Sequence, residues 1–306
     1  MNSCKATKKV QVLLSAFNGE KYLAEQIESI LSQNYPEISL LIRDDGSTDG
    51  TLDIIKTYEC QYENVVCYAG KNLGVQKSFF DLMMHADETA DYYAFSDQDD
   101  VWLPGKIRRA VELLEKQDSN LPLLYASKTT LVDEQLNEIP MKIRAPEIVP
   151  DFGNALVENI CTGCTEVFNR KLFNLVNQKT PEYTIMHDWW LYLCASAFGK
   201  VVYDSDSYIL YRQHGNNQLG AQDSLKGLWK SRSARFGNLK YTLSKQAQSF
   251  TEIYGNQYEN YGVALNMAKC KDHFGSRLRL LLSKKIYRQR RLDDVIFRGL
   301  LMMGLL

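Results

Sequence analysis

Residues 95 to 102 read FSDQDDVW, which sets three carboxylates, Asp97, Asp99 and Asp100, directly behind the apolar run Tyr92, Tyr93, Ala94 and Phe95. Like charges a few ångströms apart repel, and the cost rises if they are even partly buried. A chain that crowds negative charge in this way prepares a place for something positive. Two readings compete at this point. In one, a solvated Asp-rich turn caps the helix that starts near Pro104, since Asp is a favoured N-cap and proline a favoured first helical residue. In the other, the carboxylates hold a metal ion.

The elements around this turn favour a binding edge. Apolar Val10 to Phe17 predicts a first strand, and Glu20 to Gln33 a helix with Tyr22, Leu23, Ile27, Ile30 and Leu31 on one face. Strands are predicted at Ile38 to Arg43, Asn64 to Tyr68, Tyr92 to Phe95 and Leu121 to Ser127, and helices at Thr51 to Tyr58, Val75 to His85 and Gly105 to Lys116. This alternation predicts an α/β fold with a doubly wound, mostly parallel sheet and helices on both faces. Such sheets bind ligands outside the C-terminal ends of their strands. Ser15, Asn18, Asp44, Asp45, Lys71, Asp97 and Asp99 all fall at or just past those ends. Neither G-x-G-x-x-G nor G-x-x-x-x-G-K-[ST] occurs, which argues against a dinucleotide-binding dehydrogenase and a P-loop ATPase. Side chains remain a route to a nucleotide: Asp45 suits a base N–H, Ser15 polar groups of base or ribose, and Lys71 a phosphate or the base edge.

Past residue 130 the pattern loosens. Residues 133 to 153 read as a loop, with Pro140, Pro146 and Pro150. ENICTGCTEVFNR follows as a strand-like frame of small residues. Cys161 and Cys164 form a lone C-x-x-C with no second pair, so Thr162, Gly163 and Cys164 read better as a close backbone approach to a ligand than as a zinc or redox site. Asp188 stands at the start of the helix in IMHDWWLYLCASAFG. The strand from Lys200 to Asp206 leads to YRQHGNN, where His214 lies in a Gly/Asn-rich loop from which it could reach a metal.

Of the 306 residues, 45% are hydrophobic and 24% charged, with seven prolines, which excludes a disordered or fibrous chain. Seven scattered cysteines do not suggest a disulfide framework, and MNSCKATKKVQVLLSAF lacks a cleavable signal pattern, so a cytoplasmic, reduced protein is expected. The net charge of −1 conceals a division. Residues 226 to 306 hold 16 Lys or Arg against 5 Asp or Glu, and the rest of the chain holds 20 against 32. The basic segment suggests an anionic partner. Between Arg277 and Leu306, Leu292, Val295, Ile296, Leu300 and Met303 recur at helical spacing among basic residues. No apolar run reaches the ~18 to 20 residues of a spanning helix. An amphipathic helix lying on an anionic membrane surface is one expectation, and a helix packed on the main domain or on a second copy of the chain is the other. A nucleic-acid partner is not expected, because no nucleic-acid motif occurs and the acidic main domain would repel phosphate.

Taken in order, LLSAFNGEKYLAEQIESILSQ, IRDDGSTDGT, KNLG, FSDQDDVW, HDWW and YRQHGNN closely resemble glycosyltransferase family 2, the inverting transferases of the GT-A fold. The resemblance covers roughly residues 8 to 217 and is nearest to the rhamnosyltransferase branch, which includes enzymes building rhamnose-rich cell-wall polysaccharides of streptococci. It implies a catalytic domain over residues 1 to 220, with a nucleotide-sugar half at about 8 to 130 and an acceptor half at about 131 to 220. A helical, basic C-terminal region at 221 to 306 would follow.

The resemblance also implies roles. Ser15, Asn18, Asp45, Lys71 and Asp97 would serve the nucleotide-sugar donor. Asp99 and His214 would meet Mg2+ or Mn2+, with Asp97 and Asp100 in support. Asp188 would be the general base, with His187 standing where the family often has Glu. A departing diphosphate calls for a hard cation held by oxygen ligands, and an attacking hydroxyl calls for one carboxylate to take its proton. The implied donor is dTDP-β-L-rhamnose, and the implied acceptor a glycan on a polyprenyl diphosphate at the inner face of the plasma membrane, where the enzyme would be peripheral. The same site with a UDP-hexose donor, and a non-catalytic protein that binds nucleotide or glycan, are the alternatives.

Overall fold

The computed structural model describes residues 7–140, 146–214 and 241–306. Gly215 to Asn217 of the late histidine motif, part of the proline-containing loop and the start of the basic region lie outside the described residues. The chain forms two compact units that interleave in sequence. One comprises Met1–Ile139, Cys161–Gln178 and Val202–Gln213, the other Pro140–Ile160, Lys179–Val201 and His214–Leu306. Segments 140–160 and 179–201 therefore group with the C-terminal helices, whereas the sequence division ran consecutively through residue 220.

The first unit is built on strands β1 (Val10–Ala16), β2 (Ile38–Asp44), β3 (Val65–Ala69) and β4 (Tyr92–Ser96). Strands inside a parallel sheet are covered on both faces and read as continuous apolar runs, and Val10 to Leu14 and Tyr92 to Ser96 are buried at every position. Helices α1 (Leu23–Leu31), α2 (Thr51–Gln61) and α3 (Val75–His85) connect them. β1 pairs in parallel with β2 and with β4, and β2 with β3. Val12, Leu14, Leu40, Ile42, Ala94, Ile27 and Ile30 form the centre of the core.

The remaining strands are β5 (Val101–Trp102), β6 (Leu123–Val132), β7 (Val167–Asn169) and β8 (Lys200–Arg212), in the spatial order β3-β2-β1-β4-β7-β6-β8-β5. This corrects one expectation. The strand near 121–127 does not continue the parallel set beside β4; β7 stands between them and pairs antiparallel with both. Burial explains the order. All three β7 residues are buried, and Phe168 stacks on Tyr93 and meets Phe95, so this short strand completes the apolar centre. Helices α4 (Lys106–Leu114), α5 (Phe152–Ala155), α6 (Arg170–Asn177) and α7 (His187–Phe198) accompany these strands in sequence.

The second unit packs α7 with α8 (Thr242–Tyr254), α9 (Tyr261–Lys269), α10 (Phe274–Leu282) and α11 (Arg291–Met303). Its centre is aromatic. Phe250 meets Trp190, Phe152, Tyr254 and Tyr258 at centroid separations of 4.8–5.9 Å, in the tilted and edge-on arrangements that ring quadrupoles favour. No helix among the described residues is long and apolar enough to cross a membrane.

Candidate active site

Register alone brings the predicted residues of the first unit to one edge. Ala16 aligns with Asp44, Asp44 with Ala69, and Leu14 with Ser96. The loops carrying Asn18, Asp45, Lys71 and Asp97 therefore leave the sheet side by side. Polar contacts then tie them together. The Gln98 amide pairs with the Phe17 backbone in both directions, at 2.8 and 3.0 Å. A methyl on Gly19 would sit 2.3 Å from Gln98 Oε1, so the Gln98 amide would have to shift from its place against the Phe17 backbone. Asn18, in the left-handed region at φ 47°, accepts from the Thr48 backbone N–H at 2.8 Å, a conformation that Asn tolerates better than most residues.

Asp45 is buried, and its two oxygens receive Arg43 at 2.8 Å, the Leu73 N–H at 2.9 and 3.1 Å and the Gly74 N–H at 2.9 Å. What Asp45 visibly does is hold the KNLG loop, and Arg43 reinforces this by donating to the Lys71 carbonyl at 2.8 Å. The Lys71 residue itself is exposed. Ser15 Oγ shares a 2.6 Å hydrogen bond with Ser78 Oγ.

The acidic turn contains its own answer to the charge it concentrates. Asp97 and Asp99 are partly exposed, whereas Asp100 is 1% exposed. Burial, with the charges of Asp99 and Asp97, pushes the Asp100 carboxyl well above the ordinary range. Beneath it lies Lys106, fully buried, its Nζ 3.4 Å from the centroid of the Trp102 ring and without a hydrogen-bond partner. Burial lowers this ammonium to about 7, while Cys164, Asp100 and Glu166 act in the opposite direction. The second cation is Arg212 at the end of β8. Its backbone N–H donates to Asp100 Oδ1 at 3.1 Å, and its guanidinium to the carbonyls of Asp99 and Glu134 at 2.9 and 2.5 Å and to the Glu25 carboxylate. It also lies over the Tyr22 ring at 4.5 Å. Arg212, Lys106 and Gln98 were not among the residues the sequence singled out. Their signals were Arg212 inside YRQHGNN, Gln98 inside SDQDD and Lys106 just after the turn.

Among the described residues, the side chains that could converge on one cation are Asp97, Asp100 and Cys164, with ligand atoms within 4.8 Å of one another. Asp99 and His214, the expected metal ligands, fall outside that group, and Cys164 enters it unforeseen. Asp100 Oδ2 is buried with no nitrogen or hydroxyl donor, only the weakly donating Cys164 thiol beside the carboxyl, which leaves acceptor capacity of the kind a hard cation satisfies. Cys164 fits less well. Burial first, and the nearby carboxylates next, push its thiol well above its ordinary range, and sulfur is a softer donor than the oxygens that Mg2+ and Mn2+ prefer. The carboxylates therefore suit Mg2+ or Mn2+, with the sulfur as packing beside them.

Asp188 and His187 belong to the second unit, in the first turn of α7. Asp188 is 8% exposed and its Oδ1 accepts from the Trp189 N–H at 2.6 Å. His187 is buried, which lowers its imidazole to about 3. The unfolded chain takes up that proton near pH 6.5 and the folded chain only near 3, so stability is withdrawn as pH falls through this interval, by at most about 1.4 kcal/mol per pH unit. Urea midpoints measured from pH 7 to 4 are expected to fall more steeply for the wild type than for His187→Phe; equal slopes would remove His187 from the account. His214 is partly buried, two residues beyond Arg212.

A parallel set of strands extended by antiparallel ones, with an acidic turn at its C-terminal edge, defines a glycosyltransferase of the GT-A fold. The sequence model for Glycosyl transferase family 2 matches residues 11–176, and the chain belongs to that family. It is 33% identical over 234 residues to the dTDP-rhamnosyl transferase RfbG of Shigella flexneri, covering 71% of this chain and 77% of that one. In structure it resembles S. aureus TarS 1–349 in complex with UDP-GlcNAc, with a TM-score of 0.55 at 17% identity over 97% of this chain and 91% of that one. The mannosyltransferase PcManGT from Pyrobaculum calidifontis, in complex with GDP-Man and Mn2+, gives 0.54 at 13% identity over 98% and 86%. At these identities the two structures speak for the fold.

Proposed function

We propose that this glycosyltransferase is an inverting, metal-dependent enzyme that moves L-rhamnose from dTDP-β-L-rhamnose to a hydroxyl of a lipid-linked cell-wall polysaccharide precursor. The observation that carries the donor is the 33% identity to a dTDP-rhamnosyl transferase across most of both chains. Ser15, Asn18 and Lys71 receive the nucleotide diphosphate at the strand edge, while Asp45 keeps the Lys71 loop in place. In this reading Asp97, Asp99 and Asp100 would hold Mg2+ or Mn2+, with His214 as a further ligand. A cation held there would supply positive charge against the departing diphosphate. Asp188 takes the proton of the acceptor hydroxyl as that oxygen bonds to the anomeric carbon and the bond from carbon to diphosphate breaks. A single displacement inverts the anomeric centre and needs no covalent enzyme intermediate.

Calorimetry with dTDP-rhamnose, UDP-glucose, UDP-N-acetylglucosamine and GDP-mannose, each with Mn2+ and with EDTA, tests the reading. The expected result is metal-dependent binding of dTDP-rhamnose at least tenfold tighter than the others, and loss of that metal dependence in Asp99→Ala. Preference for a UDP-sugar would overturn the donor. Binding indifferent to EDTA would overturn the metal.

A further inference from the structure

The C-terminal helices carry apolar side chains on the side that does not pack. In α11, Phe297 and Leu301 are each 1% exposed and face the protein. At 100° per residue, Leu292, Val295, Gly299, Met302 and Met303 fall roughly opposite them. Val295 is 66% and Met303 61% exposed. The sequence stripe of Leu292, Val295, Ile296, Leu300 and Met303 is thus largely not a core stripe. In α10, Phe274, Leu278 and Leu282 recur at four-residue spacing and are also exposed, Leu282 at 76%, while Leu280 is buried. Arg298 joins the two helices by donating to the Leu281 and Ile286 carbonyls at 3.0 and 2.8 Å.

Charge surrounds these apolar stripes. Residues 274 to 306 contain eight Lys or Arg against two Asp. Arg277, Arg288 and Arg298 are engaged within the protein. Arg279, Lys284, Lys285 and Arg291 are exposed beside the apolar residues, with Lys285 Nζ donating to Asn260 Oδ1 at 2.9 Å. Directly after Leu282 a cleft of about 260 Å³ is lined by Glu259, Asn266, Arg279, Ser283 and Lys285, two cations among neutral donors and one acid. An apolar helix face flanked by basic side chains suits the boundary between acyl chains and anionic headgroups, where the side chains enter and the cations meet phosphate. A second copy of the chain would match the apolar residues but set its own positive charge against this one.

We propose that the outward faces of α10 and α11 dock on an anionic bilayer surface, with Phe274, Leu278, Leu282, Val295, Met302 and Met303 entering the interface and the Arg279–Lys285 cleft receiving a headgroup phosphate. The inference is independent of the donor sugar. It is tested by co-sedimentation of the full chain with phosphatidylglycerol/phosphatidylethanolamine vesicles and with phosphatidylcholine vesicles, at 50 and 500 mM salt. Wild type is expected to bind the anionic vesicles, at least tenfold more weakly at high salt and hardly at all to the neutral ones. Val295→Glu/Met302→Glu and Arg279→Glu/Lys285→Glu are each expected to weaken binding at least tenfold while keeping the calorimetric affinity for nucleotide-sugar, which reports an intact fold. Wild-type binding by both variants would overturn the proposal. So would absence of vesicle binding by wild type, or light scattering showing a dimer that Val295→Glu/Met302→Glu dissociates.

Discussion

Asp188→Asn is expected to bind donor with wild-type affinity and to transfer sugar roughly 10²- to 10⁴-fold more slowly, the usual contribution of a positioned proton acceptor. The substitution suits the question because it removes basicity and little else. Asp188 Oδ1 accepts from the Trp189 N–H at the start of α7, and an asparagine oxygen can accept the same bond. Neighbouring Trp189 stays fixed by its own donation to the Ala155 carbonyl at 2.7 Å. Stopped assays with saturating donor and acceptor separate kcat from KM, and the loss belongs in kcat. A variant that keeps more than a tenth of wild-type kcat would transfer the role of base to another residue.

Arg212→Ala is expected to lower stability on the order of 3 kcal/mol, seen as a fall in Tm of roughly 5–10 °C. The side chain is buried, and its loss strips donors from the Asp99 and Glu134 carbonyls together. Glu25 is half exposed and can turn to water, so its share of the penalty is small. The Asp100 contact survives, because it is made by the Arg212 backbone N–H. The acidic turn then keeps one of its two contacts to Arg212, and Mn2+-dependent donor affinity should fall with the other. Arg212→Lys keeps the charge but not the planar fork, and should lie between. Unchanged Tm and unchanged Mn2+ dependence in Arg212→Ala would mean that the turn is fixed without the clamp.

Parts of this architecture were plain in the sequence because burial writes itself as composition. β1 and β4 are apolar along nearly their whole length, and Val75 to His85 keeps a helical stripe, so their bounds fall within about a residue of expectation. β7 lies inside the strand-like ENICTGCTEVFNR, but three residues cannot display a period, and its place beside β4 was fixed by Phe168 meeting Tyr93 and Phe95 across the sheet. β8 was read to Asp206 and continues to Arg212, because its residues alternate weakly between partial burial and exposure. The same distinction divides the site. The carboxylates of the turn announce themselves by type and spacing. Their counter-cations Lys106 and Arg212 do not, since neither a buried lysine over a tryptophan nor an arginine 112 residues away can be recognised without the fold.

That separation has a consequence during synthesis. Lys106 emerges six residues behind Asp100, so one counter-charge accompanies the acidic turn from the outset. Arg212 follows 112 residues later, which at 5–20 residues per second is a delay of roughly 6–22 s. The four parallel strands have all their mutual partners within the first hundred residues and can pair on the ribosome during that interval. Until Arg212 has been made, the acidic turn lacks the contacts that Arg212 gives to Asp99 and Asp100.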